Sequence, residues 1–105
     1  MDNLLVQTSG YEHIATMNAE SEEGTTWVLD YYIIKMLGVA DETLYGLKID
    51  KSTSGGEILE SDTTYAITED YGIAQEIAKA FASGMVFPIT MAEMVDEWFG
   101  GDDVA

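Results

Sequence analysis

The stretch TTWVLDYYIIKML (25–37), followed after a short break by TLYGLKIDK (43–51), decides how the rest of the chain is read. The first segment is dense in β-branched and aromatic residues, the composition of a strand. The second alternates. Leu44, Gly46, Lys48 and Asp50 fall on one side, and Tyr45, Leu47 and Ile49 on the other. Alternation with a period of two marks a strand with one buried face. Gly38 to Glu42 is a turn candidate between them, so the two strands are expected to pair antiparallel.

Downstream, STSGG (52–56) reads as a loop. EILES (57–61) and TTYAI (63–67) supply one further strand, or two broken at Asp62. Strands in succession with short connections predict an antiparallel meander. The period then changes. Within EDYGIAQEIAKAFASG (69–84), Ile73, Ile77 and Phe81 recur every four residues beside Ala74, Ala78 and Ala80, which predicts an amphipathic helix. Thr68 is the expected N-cap, with Glu69 and Asp70 at the positive end of the helix dipole, and Gly84 is the expected C′ residue. After Pro88, the pattern Thr90-Met91-Ala92-Glu93 reads as a capping box. It opens a second helix, in which Met91, Met94, Val95 and Trp98 share a face and which ends near Phe99.

Upstream, residues 1–18 hold two short apolar patches around Ser9-Gly10, consistent with a hairpin or an attached arm. AESEEG (19–24) reads as an acidic turn or linker. The expected organisation is an N-terminal arm or hairpin plus linker over 1–24 and a single α+β domain over 25–105. In that domain a three- to four-stranded antiparallel sheet is followed by two helices packed on one face.

Charge narrows the possible functions. Twenty acids face four bases, a formal net charge of −16, and all four bases are lysines: Lys35, Lys48, Lys51 and Lys79. Without arginine, and with so few cations, direct binding to a nucleic-acid backbone or to an anionic membrane is not expected. No cysteine is present, so disulfide and thiolate chemistry are excluded and a cytoplasmic location is natural. The N-terminus has no basic segment ahead of its short apolar run Leu4-Leu5-Val6, so no secretory signal is expected.

Motifs that carry chemistry are sparse. His13 is the sole histidine, and no serine sits in a G-x-S-x-G elbow, so a nucleophile and base have little raw material. The nearest match to a calcium loop begins at Asp41 with Gly46 in sixth place. It has Tyr45 where an oxygen ligand belongs and Ser52 where glutamate is needed. Gly55-Gly56 precedes Glu57 and not Lys-Ser/Thr, so it is a turn and no phosphate loop. Neither an enzyme, a metal site nor a cofactor is expected.

The order WVLDYYIIKML, YGLKID, ILESDTTYAITEDYGIAQEIAKAF and MVFPITMAEMVDEWF, from Trp27 to Phe99, resembles a family of small uncharacterised clostridial (Firmicutes) proteins of unknown function. The matching ending is Val86, Pro88, Val95, Glu97 and Phe99, all packing or capping positions. The resemblance implies a fold and a host range but no activity. In character the chain is also similar to small, cysteine-free, acidic anti-CRISPR and anti-restriction proteins, several of which act as DNA mimics. One type II anti-CRISPR protein has a layout similar to TYAITEDYGIAQEIAKAFASG.

Two readings follow. In the first, the protein is an acidic inhibitor that occupies the nucleic-acid groove of a basic partner, a Cas nuclease or other nucleic-acid enzyme. The duplex presents one charge about every 1.7 Å of its axis, and carboxylates on one face would imitate it. The candidate partner-binding residues are Glu69 and Asp70 at the strand-to-helix turn, and Glu93, Asp96, Glu97, Asp102 and Asp103 on the last helix and tail. Glu20, Glu22 and Glu23 form a third patch. Residues 69–105 hold eight acids against one lysine, and the first 24 residues hold five against none. In the second, the chain is a non-enzymatic protein-binding module, acidic for solubility, that uses the Trp98-Phe99 end.

Overall fold

The structure is a computed structural model and describes residues 7–99. Four strands, β1 (Gln7–Glu20), β2 (Thr26–Leu37), β3 (Thr43–Thr53) and β4 (Ile58–Thr63), form one antiparallel sheet in the order β1-β2-β3-β4. Helix α1 (Tyr71–Ser83), a 3-10 turn over Pro88–Thr90, and helix α2 (Met91–Trp98) follow. The fold class is the expected one, α+β with an open sheet.

Three hairpins make the meander, and all three turn in the same way. The amide of the first loop residue donates to the carbonyl four residues on, and the fourth amide donates back to the first carbonyl. This holds for Ser21–Thr25, Gly38–Glu42 and Thr53–Glu57. The fourth residue is in each case left-handed: Gly24 (φ 92°), Asp41 (φ 66°) and Gly56 (φ 100°). A type I turn followed by a left-handed residue is a favoured three-residue hairpin loop. Glycine and aspartate are the residues that reach that backbone at least cost.

The segment ahead of the first turn belongs to the sheet. Residues 7–20 are strand β1, paired along β2 from Gln7↔Leu37 to Glu20↔Thr26. Register shifts at Thr8/Gly10 and His13/Ala15 interrupt its alternation, which is why it reads as two apolar patches.

On the covered face Leu29, Tyr31, Ile33, Leu47 and Ile49 meet Ala74, Ile77, Ala78 and Phe81 of α1 and Met91 and Val95 of α2. Tyr31, 1% exposed, donates its hydroxyl to the carbonyl of Val86 at 2.9 Å. Burial pushes its pKa up to about 12.

β4 is one strand, and the chain leaves it by crossing β3. Thr64 exchanges bonds with Leu47, its hydroxyl accepting from the Leu47 amide at 2.8 Å, and Thr68 bridges Tyr45. A Cβ at Gly46 would lie 2.8 Å from the carbonyl oxygens of both Thr64 and Tyr65. Only glycine leaves room for that crossing.

The helix ends differ from expectation. Asp70, not Thr68, caps α1: its Oδ1 accepts from the Ile73 amide at 3.2 Å. Thr68 is still bonded into the sheet edge, so its hydroxyl instead accepts from the Asp70 amide at 3.0 Å. At the other end Gly84 is the C-cap, but the left-handed residue is Met85 (φ 52°). The Val86 amide bonds Phe81 and the Met85 amide bonds Ala82, a Schellman arrangement with methionine where glycine is usual. Thr90 makes no capping box. Pro88 starts a 3-10 turn ahead of α2, and the Thr90 hydroxyl donates back to the Phe87 carbonyl at 3.2 Å.

Candidate functional site

The other face of the sheet, bare of helices, buries Ile34 and Met36 at one end and carries a polar seam across its middle. One rung crosses all four strands through Thr16, Asp30, Asp50 and Ser61, which are successive cross-strand partners. Two carboxylates directly opposite each other repel, and each has its own counterparts. Asp30 accepts from the Thr16 hydroxyl and lies 2.9 Å from His13 Nε2. Asp50 accepts from the Ser61 hydroxyl at 2.5 Å and lies 3.7 Å from Lys48 Nζ. The next rung is His13, Tyr32, Lys48 and Thr63. Lys48 Nζ sits over the rings of Tyr11 and Tyr32, 5.1 and 5.6 Å from their centroids. Burial, then the charges of Asp30 and Asp50, raise the Tyr32 pKa.

His13 is therefore a tie between β1 and β2. Its Nε2 faces both Asp30 and the Thr16 hydroxyl, which is 2.9 Å away. A hydroxyl–histidine–carboxylate relay needs the hydroxyl and the acid on opposite ring nitrogens, and here they share one. Among the described residues, no group of three histidine or acidic side chains is placed to hold a metal ion. Of this seam the sequence singled out His13 and put Lys48 and Asp50 on one side of β3, but it did not join them to Thr16, Asp30, Tyr32 or Ser61. The available signal was Asp30 and Asp50 in the interior of strands, where unpaired carboxylates are costly.

The expected partner-binding carboxylates fall in two places. Glu93, Asp96 and Glu97 are exposed on α2, three and four residues apart, so they share one stripe opposite buried Met91 and Val95. Glu69 and Asp70 are also exposed, but they precede α1, whereas α2 packs at the other end of that helix through the Phe81–Trp98 contact. A helix the length of α1 spans about 20 Å. Asp70 is partly committed as the cap. Asp102 and Asp103 lie outside the described residues.

The lysines of β3 are drawn inward. Lys51, with 13% of its side chain exposed, lies over Trp27 and Phe87 (4.4 and 5.0 Å to the ring centroids) and 3.7 Å from Glu60. Lys35 and Lys79 are exposed. No helix of the described residues is long and apolar enough to cross a membrane.

A small antiparallel meander backed by two helices, with an acidic surface and a polar seam on its bare face, is the class of protein these features define. The chain belongs to a family of unknown function (DUF6514), whose model matches residues 11–101 and so takes in most of β1 as well as the core. No curated protein and no solved structure matches it.

Proposed function

We propose that this protein is an acidic inhibitor that lays a carboxylate surface into the basic nucleic-acid groove of a partner, in its sharpest form a defence nuclease of the anti-CRISPR or anti-restriction type. One observation carries the reading: Lys48 and Lys51 are held against aromatic rings and the carboxylates of Asp50 and Glu60, while Glu93, Asp96 and Glu97 stand together on an exposed stripe. Among the described residues most carboxylates are exposed, and only Lys35 and Lys79 are exposed lysines beside them. Such a surface steers association with a basic partner and does so less as salt screens it.

The test is competition. Guide-loaded Cas9 and a restriction endonuclease, each with labelled target DNA, are titrated with the protein at low and high salt. The reading expects DNA release that weakens as salt rises and disappears when Glu93, Asp96 and Glu97 are all changed to lysine. No release from either nuclease at low salt would count against it.

Trp98 and Phe99 favour a second reading. They are 41% and 49% exposed at the α2 terminus, a surface for an apolar contact with another protein. Partner capture that survives high salt and is lost in Trp98→Ala would support this module over the groove inhibitor.

A further inference from the structure

We propose that the cavity between β1 and the start of α1 is a receptor for one guanidinium group, supplied by an arginine side chain of a basic partner. The inference rests on the reading that the partner is basic, and it adds a discrete contact to what is otherwise a diffuse field.

The cavity holds about 250 Å³. Gly10 and Glu12 of β1, Ile33 and Lys35 of β2, Tyr45 of β3 and Tyr71 of α1 line it. The Tyr45 and Tyr71 rings meet edge to face, 5.4 Å between centroids. The Tyr71 hydroxyl donates to both oxygens of Glu12, at 2.6 and 2.8 Å. That bond is the main cause of a raised Tyr71 pKa. It also fixes the carboxylate beside the rings and leaves most of its lone pairs open, since an ionised carboxylate has about four acceptor positions.

The argument comes from two sites the molecule has already filled. Lys48 lies over Tyr11 and Tyr32 and beside Asp50. Lys51 lies over Trp27 and Phe87 and beside Glu60. Each is a pair of rings, a carboxylate and a cation. Tyr45, Tyr71 and Glu12 repeat the pair of rings and the carboxylate, but among the described residues no cation sits over either ring or pairs with Glu12. Lys35 lines the cavity without making that contact. Glu69 and Asp70, both exposed, directly precede Tyr71 and add negative potential at the same end of α1.

A guanidinium fits this geometry better than an ammonium. It is planar, so it can lie on a tyrosine face and still aim two N–H groups at one carboxylate, and it is weakly hydrated, so entering a half-open apolar cavity costs it less. A Cβ at Gly10 would meet nothing within 4 Å, so the wall there is open for the incoming side chain.

The probe is N-acetyl-arginine methylamide, titrated into the isotopically labelled protein and followed by the Tyr45 and Tyr71 ring signals. The matched citrulline and lysine amides serve as comparisons. Saturable shifts are expected with arginine, with binding at least about threefold weaker for lysine and no saturation for neutral citrulline. Glu12→Gln and Gly10→Val should each weaken arginine binding about tenfold or more while the remaining spectrum stays that of the folded protein. Lys35→Gln should tighten it, because a like charge leaves the rim. Absence of saturable shifts in the unaltered protein, equal binding by citrulline or lysine, or weaker binding in Lys35→Gln would each overturn the proposal. The titration contains no partner, so its failure leaves the groove competition standing, and failure of that competition leaves the cavity result standing.

Discussion

The two faces of this sheet are built from alternate residues of the same strands, and they are held by different forces. On the covered face Leu29, Tyr31 and Ile33 are no more than 1% exposed and touch the apolar side of α1. On the bare face their neighbours Asp30 and Tyr32 keep partial contact with water and are tied by side-chain hydrogen bonds, ion pairs and lysine–ring contacts. Burial of apolar area supplies stability that salt does not screen. Apart from Asp50, which is 7% exposed, the seam contributes less per contact, because part-exposed pairs retain much of their hydration and give up side-chain freedom. What the seam does supply is register, since each rung matches donors to acceptors across strands that water would otherwise leave free to slip.

The largest expected effect lies on the covered face. Leu29→Ala should cost about 3 kcal/mol by leaving a cavity among packed side chains, read as a drop in the urea midpoint with little change in slope. A cost under about 1 kcal/mol would mean that the helices do not seal that face.

Next comes Tyr31, whose buried hydroxyl on the covered face donates to the Val86 carbonyl. Its pKa is raised to about 12, so the folded protein keeps a proton that the unfolded chain loses near pH 10. This contribution is fully present below pH 10 and is lost as pH rises toward 12. It amounts to about 2–3 kcal/mol. Unfolding midpoints at pH 9 and near 12 should diverge more for the unaltered protein than for Tyr31→Phe.

Gly46 lies where the two regimes meet, on the bare face but under the crossing chain. Gly46→Ala should cost about 2 kcal/mol, because the new Cβ presses on backbone carbonyls that cannot rotate away. Amide exchange in residues 64–68 should quicken before the rest of the sheet does. Uniform exchange would show that the crossing is no separate unit.

The smallest effect belongs to the seam itself. Asp30→Asn keeps an acceptor for Thr16 and removes one of two facing charges, so it should change stability by less than about 1 kcal/mol. A loss as large as that of Leu29→Ala would overturn the contrast between the faces.

Much of this is legible in the amino-acid sequence. β2 and β3 carried their alternation openly, with Tyr45, Leu47 and Ile49 on the helix-covered face and Gly46, Lys48 and Asp50 on the other, as the pattern required. α1 was legible from Ile73, Ile77 and Phe81. The exposed stripe of Glu93, Asp96 and Glu97 followed from helical spacing once Met91 and Val95 faced the core. β1 was hard to see because its two register shifts break the period of two that marks a strand. The caps misled because Ser, Thr and Asp signals are local, whereas Thr68 answers to Tyr45 twenty-three residues earlier and Thr90 answers to the turn that Pro88 begins.

By itself, then, the sequence determined composition, charge, the order of strands before helices, and which residues of β2, β3 and α1 are apolar on one side. These depend on spacing along a single segment, and spacing is visible in one dimension. Tertiary structure alone decided that Asp30 and Asp50 stand opposite each other, that Lys48 and Lys51 are withdrawn onto aromatic rings, and that Tyr71 meets Glu12 fifty-nine residues away. Each of these joins residues from different elements. Their chemistry depends on a few ångströms of separation that only strand register and helix docking can fix.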